Sequence, residues 1–311
     1  MTSAPATNEL FDFMGGNVQH GRKLRDFVAL VKRRAEETVV RTGLLSVQEL
    51  QEGQDEEVAE RLGLTLVRAQ PNSRPGSRNA LYFDPGLFRI NDGWKPYPAR
   101  IRHVPAVAKL HMIHPETGAL SFRDMAVASI HASYLDPALR EQQVRWLSEP
   151  VKDEDLGLFQ GDWNSWPAGR APLTLDNILD RAHAQQRSIL MPDGTLRPDD
   201  VADRLLTYHG MPDVGAYAAT VLGQVGADRP TTGHGTGKDR QRVPAADRPA
   251  AGIGAIDRTH ASRELLPALI SAETLDTPQT RAISDHLPQV TTWAIRPLWE
   301  VMNRPITPIR H

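Results

Sequence analysis

The chain contains no cysteine. Disulfides, thiolate-ligated metals and a cysteine nucleophile are therefore excluded. An excess of one charge sign is also missing: 36 Lys and Arg stand against 38 Asp and Glu, a formal net charge of -2. A protein that holds nucleic acid by its overall field is basic, so a phosphate-binding surface here must be local. No stretch approaches the ~20 apolar residues needed to cross a bilayer. The start, MTSAPATNELFDFMGGNVQHGRKLRD, lacks a basic segment followed by an apolar core, so no signal peptide is expected. Internal repeats are absent as well. These absences lead to the expectation of a cytoplasmic, monomeric protein with no membrane span.

What is present is an ordinary globular composition of 311 residues, 40% hydrophobic and 24% charged, enough for one sizeable core. GRKLRDFVALVKRRAEETVV carries Leu24, Phe27, Val28, Val31 and Ala35 at helical spacing. LLSVQEL reads as a buried strand, and QDEEVAERL as a short acidic helix ended by Gly63. LTLVRA, NALYFDP, VPAVAKLHMI, MAVASIHAS, LGLFQGDWNSW, AGIGAIDRTHAS and QVTTWAI supply further strands. DPALREQQVRWLSEP is a helix with Asp136 as cap and Pro137 at its first position. Residues 170–225 look helical with Pro and Gly breaks, and 226–252 form a Gly- and Pro-rich charged surface loop expected to be mobile and to cover a substrate. Strands interleaved with helices predict a single α/β domain over 1–311, with a helical and loop insertion at about 170–252.

Polar residues recur where the apolar runs stop. Asn17 follows Gly-Gly, Gln48 and Glu49 follow LLSV, and His131 follows MAVASI. Asp162 and Asn164 follow LGLFQG, Asp257 follows AGIGAI, and Asp285 and His286 stand before QVTTWAI. Ligands bind at strand ends in open α/β sheets. The residue types are those that phosphoester hydrolysis needs. Carboxylates suit a hard divalent cation. An imidazole with a carboxylate on its other nitrogen suits acid–base work. Amide and imidazole donors suit the charge that builds up on phosphorus oxygens.

The pieces GGNVQ, LLSVQEL, ASIHAS, LFQGDWNSW, AIDRTHAS and ISDHLPQVTTW, in this order from Asn17 to Trp293, resemble the endonuclease/exonuclease/phosphatase superfamily. The resemblance implies a four-layered α-β-β-α sandwich, two packed mixed β-sheets flanked by helices. It implies Glu49 as the principal ligand of Mg²⁺ or Mn²⁺, helped by Asn17 and Asp285. Asp162 would orient or activate the attacking water, and Asn164 would bind the scissile phosphate. His286 would contact the phosphate or act as acid/base with Asp257 as its orienter, and His131 matches the first catalytic histidine of the deoxyribonuclease branch. Two departures stand out. FDFMGGN is Gly-broken where the family has an apolar strand, and INDGWKPYPARIRHV offers no glutamate to orient His131.

Other features are weaker. His111 and His114 lack metal-site company, and TTGHGTGKD lacks the spacing of a phosphate loop. Trp163 and Trp166 suit either stacking on a base or sugar, or core packing. Residues 68–110 hold Arg68, Arg74, Arg78, Arg89, Lys95, Arg100, Arg102 and Lys109 against Asp84 and Asp92. That surplus suits a nucleic acid lying beside the site, or is a solvated surface. The expected function is a metal-dependent nuclease acting on DNA or RNA. The alternatives are a phosphatase or phosphodiesterase of small phosphoesters, and a catalytically silent binder of a phosphorylated partner.

Overall fold

The computed structural model describes residues 9–68, 78–96, 103–169, 181–232 and 254–305. The first sheet contains β1 (Leu10–Asn17), β2 (Arg41–Leu50), β3 (Thr65–Arg68), β4 (Arg78–Phe83), β12 (Leu269–Thr274) and β13 (Gln289–Ala294), in the order β12-β13-β1-β2-β4-β3. The second contains β5 (Phe88–Ile90), β6 (Ala106–Met112), β7 (Met125–His131), β8 (Leu156–Asp162) and β11 (Asp257–Ala261), in the order β11-β8-β7-β6-β5. Each sheet has one parallel pair, β1 with β2 and β7 with β8, among antiparallel neighbours. A small hairpin joins β9 (Ser188–Leu190) to β10 (Leu196–Pro198).

Side-chain alternation along the strands builds the layers. In β1, Phe11 and Phe13 join the inter-sheet core with Leu44, Leu81, Leu110, Val127 and Leu158. Met14, one step on, faces the other way, towards Leu24, Phe27, Val28 and Val31 of helix α1 (Leu24–Thr38), with α2 (Gln54–Leu62) contributing Val58. On the far side, Val144 and Leu147 of α3 (Pro137–Leu147) and Ala202 and Leu206 of α5 (Val201–Tyr208) cover Ala128, Ile130 and Phe159. The result is the expected α-β-β-α sandwich. Asp136 caps α3, accepting from the Ala138 amide at 2.8 Å.

The described part of the predicted insertion is less helical than expected. It holds α4 (Arg181–Gln186), the β9–β10 hairpin, α5 and α6 (Val214–Thr220). Most of the predicted 226–252 loop lies outside the described residues. Its start is tied down: Thr231 accepts from the Leu287 amide at 2.8 Å and, through its hydroxyl, from the Asp257 amide at 3.1 Å. Among the described residues no helix is long and apolar enough to cross a membrane.

Candidate active site

Strand direction explains why distant residues meet. β1 and β2 end side by side, with Asn17 opposite Gln48, and β7 and β8 do the same, with His131 opposite Asp162. Antiparallel strands begin where those strands end. β11 starts with Asp257 opposite Asp162, and β13 starts with Gln289 opposite Gly15. This corrects one expectation: Asp257 opens its strand and does not close an apolar one, because Gly254 makes only isolated bridging and Ala255 and Ile256 are not in a strand. FDFMGGN is likewise an unbroken, fully buried strand. Its glycines are needed for packing, since a Cβ on Gly15 would lie 2.6 Å from Gln160 Cδ of the facing sheet.

Alternation also sets which side chains reach the space between the sheets. Asn17 follows Phe11 and Phe13 in parity, His131 follows Val127, and Asp162 follows Leu158. Beneath them, Gln48 Nε2 donates to the hydroxyls of Ser46 at 2.7 Å and Ser129 at 3.0 Å, closing the floor of the site with a buried polar layer. Glu49 breaks the rule. It follows Gln48 and would point towards the helices, but it sits at a register shift with φ 63°. This left-handed backbone, unfavourable for a side-chain-bearing residue by about 1–2 kcal/mol, turns its carboxylate into the site. Asn164 has φ 50° just past Asp162.

The side chains converge on two carboxylates. Asn17 Nδ2 donates to Glu49 Oε1 at 3.1 Å and to Asp162 Oδ2 at 3.3 Å. His131 Nε2 lies 3.7 Å from both of those oxygens. Asp162 Oδ1 accepts from the Asn164 amide at 2.9 Å, and Asn164 Nδ2 donates to the Ala132 carbonyl at 3.0 Å. His286 Nδ1 lies 2.9 Å and 3.0 Å from the two oxygens of Asp257 and 3.8 Å from Asp162 Oδ2. The structure thus brings together Asn17, Glu49, His131, Asp162, Asn164, Asp257 and His286. Asp285 stands apart from this contact set: its one hydrogen bond among the described residues is from the Ser284 hydroxyl, at 3.3 Å.

Burial and charge act against each other here. Burial by itself lowers the pKa of His286, but Asp257 and Asp162 outweigh it and raise it to about 10. Burial also favours a protonated Asp162, yet His286 and His131, helped by Arg187 and the Asn164 amide, hold it below the usual carboxylate range. Asp257 is raised by burial and by the negative charge of Asp162, only partly offset by His286. The two carboxylates thus favour the charged form of His286.

Two neighbours lie beyond the sequence expectations. His20 donates its backbone amide to Glu49 Oε2 at 3.0 Å and places Nδ1 3.4 Å from it, within a left-handed turn of Gln19, His20 and Gly21. The signal for it is the HG pair that follows the Asn17 segment. His103 packs against His131 with ring centroids 4.9 Å apart and planes tilted by 42°, and no periodicity in its segment announces it. Other sequence features resolve into structure. Trp163 and Trp166 are buried, their indoles donating to the Arg258 and Arg187 carbonyls, each at 3.0 Å, which favours core packing. His111 and His114 bond backbone groups of their own hairpin. Arg68 and Arg78 pair with Asp55, Glu56 and Glu52, and Lys109 with Asp124 and Asp155. Arg74, Arg100, Arg102 and the GHGTGKD segment lie outside the described residues.

The donor set fits a hard divalent cation. Glu49 and Asp162 share a single amide donor, and carboxylate oxygens are the ligands Mg²⁺ and Mn²⁺ prefer. Asp162, Asp257 and His286 also bring ligand atoms within 4.8 Å of one another. In that trio, however, His286 Nδ1 is already engaged by Asp257, so the Glu49–Asp162 side is the better seat.

No family model matches the sequence, and no curated protein matches it. Solved structures do. An endonuclease/exonuclease/phosphatase from Bacteroides vulgatus is 15% identical with a TM-score of 0.60, covering 91% of this chain and 98% of its own. An AP endonuclease from Archaeoglobus fulgidus is 16% identical with a TM-score of 0.56, covering 91% and 99%. A mannosyl-6-phosphatase from Bacteroides thetaiotaomicron is 12% identical with a TM-score of 0.54, covering 90% and 98%. The chain has the fold of the endonuclease/exonuclease/phosphatase structures.

Proposed function

We propose that this chain is a member of the endonuclease/exonuclease/phosphatase superfamily and a divalent-metal-dependent phosphoester hydrolase, with DNA or RNA phosphodiesters as its substrate. The observation that carries the reading is the convergence, at one edge of both sheets, of the Asp257–His286 pair with Glu49 and Asp162. On this reading the whole chain is one catalytic domain, with 170–252 inserted at its edge.

Glu49, with Asp162 beside it, would hold Mg²⁺ or Mn²⁺. When bound, the ion supplies Lewis-acid stabilisation of the phosphoryl charge. Asp162 stays ionised and, with one oxygen fixed by the Asn164 amide, accepts a hydrogen bond from water and aims it in line with the leaving oxygen. Asn164 acts mainly by holding Asp162 and the β7 end together. His286, charged and fixed by Asp257, donates to a phosphoryl oxygen. His131 supplies a second donor on the Glu49 side.

A second reading, hydrolysis of small phosphoesters, is favoured by the ion pairing of Arg68, Arg78 and Lys109. That pairing engages three of the eight basic residues of 68–110 that a long polyanion would use. The fold serves both chemistries. The test is hydrolysis of supercoiled DNA, single-stranded DNA, RNA and a set of phosphomonoesters with Mg²⁺, Mn²⁺ or EDTA. Metal-dependent cleavage of nucleic acid, lost in Asp162→Asn, is expected. Release of phosphate from monoesters alone would establish the second reading, and no hydrolysis by the wild type would overturn both.

A further inference from the structure

Two arginines are buried behind the site, and each takes its counter-charge from the inserted segment. Arg258 follows Asp257 on β11, and strand alternation sends its side chain to the opposite face, where it is 1% exposed. Its Nη1 donates to the carbonyls of Ser165 at 2.7 Å and Ala255 at 2.8 Å, and Nη2 donates to the Ser165 hydroxyl at 3.1 Å. Ser165 lies in the turn that leaves Asp162, and Ala255 lies just before Asp257. One guanidinium therefore ties together the two segments that carry these carboxylates. Its counter-charge is Asp203 of α5, whose Oδ1 lies 3.6 Å from Arg258 Nε and 3.3 Å from His260 Nε2, an ion pair made without a hydrogen bond. Burial holds the pKa of His260 down against the pull of Asp203, so the full charge that Asp203 answers is that of Arg258. The other oxygen of Asp203 accepts from the Ala168 amide at 2.7 Å.

Arg140 of α3 has a similar place, but its acid is hydrogen-bonded. Its Nε meets Asp199 at 2.6 Å, and its two Nη atoms donate to the carbonyls of Ser133 and Gln186, each at 2.7 Å. Ser133 stands two residues past His131. The carbonyl of Asp199 in turn accepts from the Trp166 amide at 2.8 Å. A planar fork with five donors makes such multi-point ties; a lysine ammonium does not reproduce them.

We propose that the inserted segment is part of the catalytic apparatus: through Asp199–Arg140 and Asp203–Arg258 it positions the strand ends that present His131, Asp162 and Asp257. Arg140, Asp199, Asp203 and Arg258 are positioning residues, and the proposal rests on the site assigned above. It explains why charges are buried here, although apolar replacements of similar volume often serve stability equally well.

That same property supplies the test. In the full chain, Arg258→Met/Asp203→Leu removes both charges together and leaves neither unpaired. The double variant is expected to fold, with a melting temperature lowered by the hydrogen bonds lost at Ser165, Ala255 and Ala168. Amides of 162–169 and 254–258 should exchange with deuterium about tenfold faster while β1 and β2 keep their protection. Mg²⁺-dependent cleavage of supercoiled DNA should show kcat lowered ~10- to 100-fold at near-constant KM. Arg258→Lys, which keeps the charge, should reproduce the kcat loss. Wild-type exchange and wild-type kcat in the double variant, or full rescue by lysine, would overturn the proposal. If the double variant does not fold, Asp203→Asn with Arg258 intact carries the same three measurements. If the wild type cleaves nothing, the functional reading fails, and the exchange rates still decide whether the clamp orders these segments.

Discussion

Two histidines approach the same oxygen from opposite sides. His286 Nδ1 lies 3.8 Å and His131 Nε2 3.7 Å from Asp162 Oδ2. Their surroundings differ. His286 is gripped by both oxygens of Asp257, whereas His131 Nδ1 is buried with no hydrogen-bond partner among the described residues, and its ring rests on His103. What an imidazole does is set by what its second nitrogen meets. His286 is built to carry charge. His131 is held by packing, with no carboxylate among the described residues on its second nitrogen.

The largest effect should come from what the two share. Asp162→Asn removes the acid between them and the fixed acceptor for water. Its kcat should fall at least ~10²- to 10³-fold, with circular dichroism and melting close to wild type. A variant that keeps wild-type turnover would dissolve the site in which the comparison is made. Asp257→Asn should come next, lowering kcat about 10²-fold, because His286 then loses the carboxylate that keeps it protonated. His286→Gln should cost more than His131→Gln, and steady-state rates of the two proteins side by side would settle the order. A larger loss at His131 would reverse the roles given to the pair.

Much of this site is legible in the amino-acid sequence. Apolar runs that stop at His131 and Asp162 place those residues at strand ends, and the adjacency of Asp285 and His286 before a strand marks an entrance, whereas Asn17 follows a Gly-broken run that marks it less plainly. Three kinds of information are not legible there. The orientation of Glu49 depends on a left-handed backbone at a strand irregularity, which no side-chain pattern encodes. The start of β11 is hidden because Gly254, Ala255 and Ile256 are apolar enough to pass for a strand, although they contribute little to a ladder. Charge pairing is a third: the basic residues of 68–110 can be counted in a sequence, but their acids, Asp55 among them, become partners only through folding. The ties from Arg258 to Asp203 and from Arg140 to Asp199 belong to the same class.

The smallest effect is on stability, and its sign and pH window follow from His286. The pKa of His286 is raised in the folded protein to about 10 from an ordinary 6.5, so the folded state binds this proton more tightly than the unfolded chain. The resulting stabilisation is fully present below pH ~6.5, declines as pH rises, and is lost above about pH 10. Melting temperatures followed from pH 6 to 11 should therefore fall in the wild type across that window. Lysines and tyrosines titrate there as well, so the informative quantity is the difference from His286→Asn, whose curve should be flatter, with lower stability at the acid end. Parallel curves for wild type and His286→Asn would mean that the Asp257–His286 pair holds no extra proton. His286 and His131 would then differ in geometry alone.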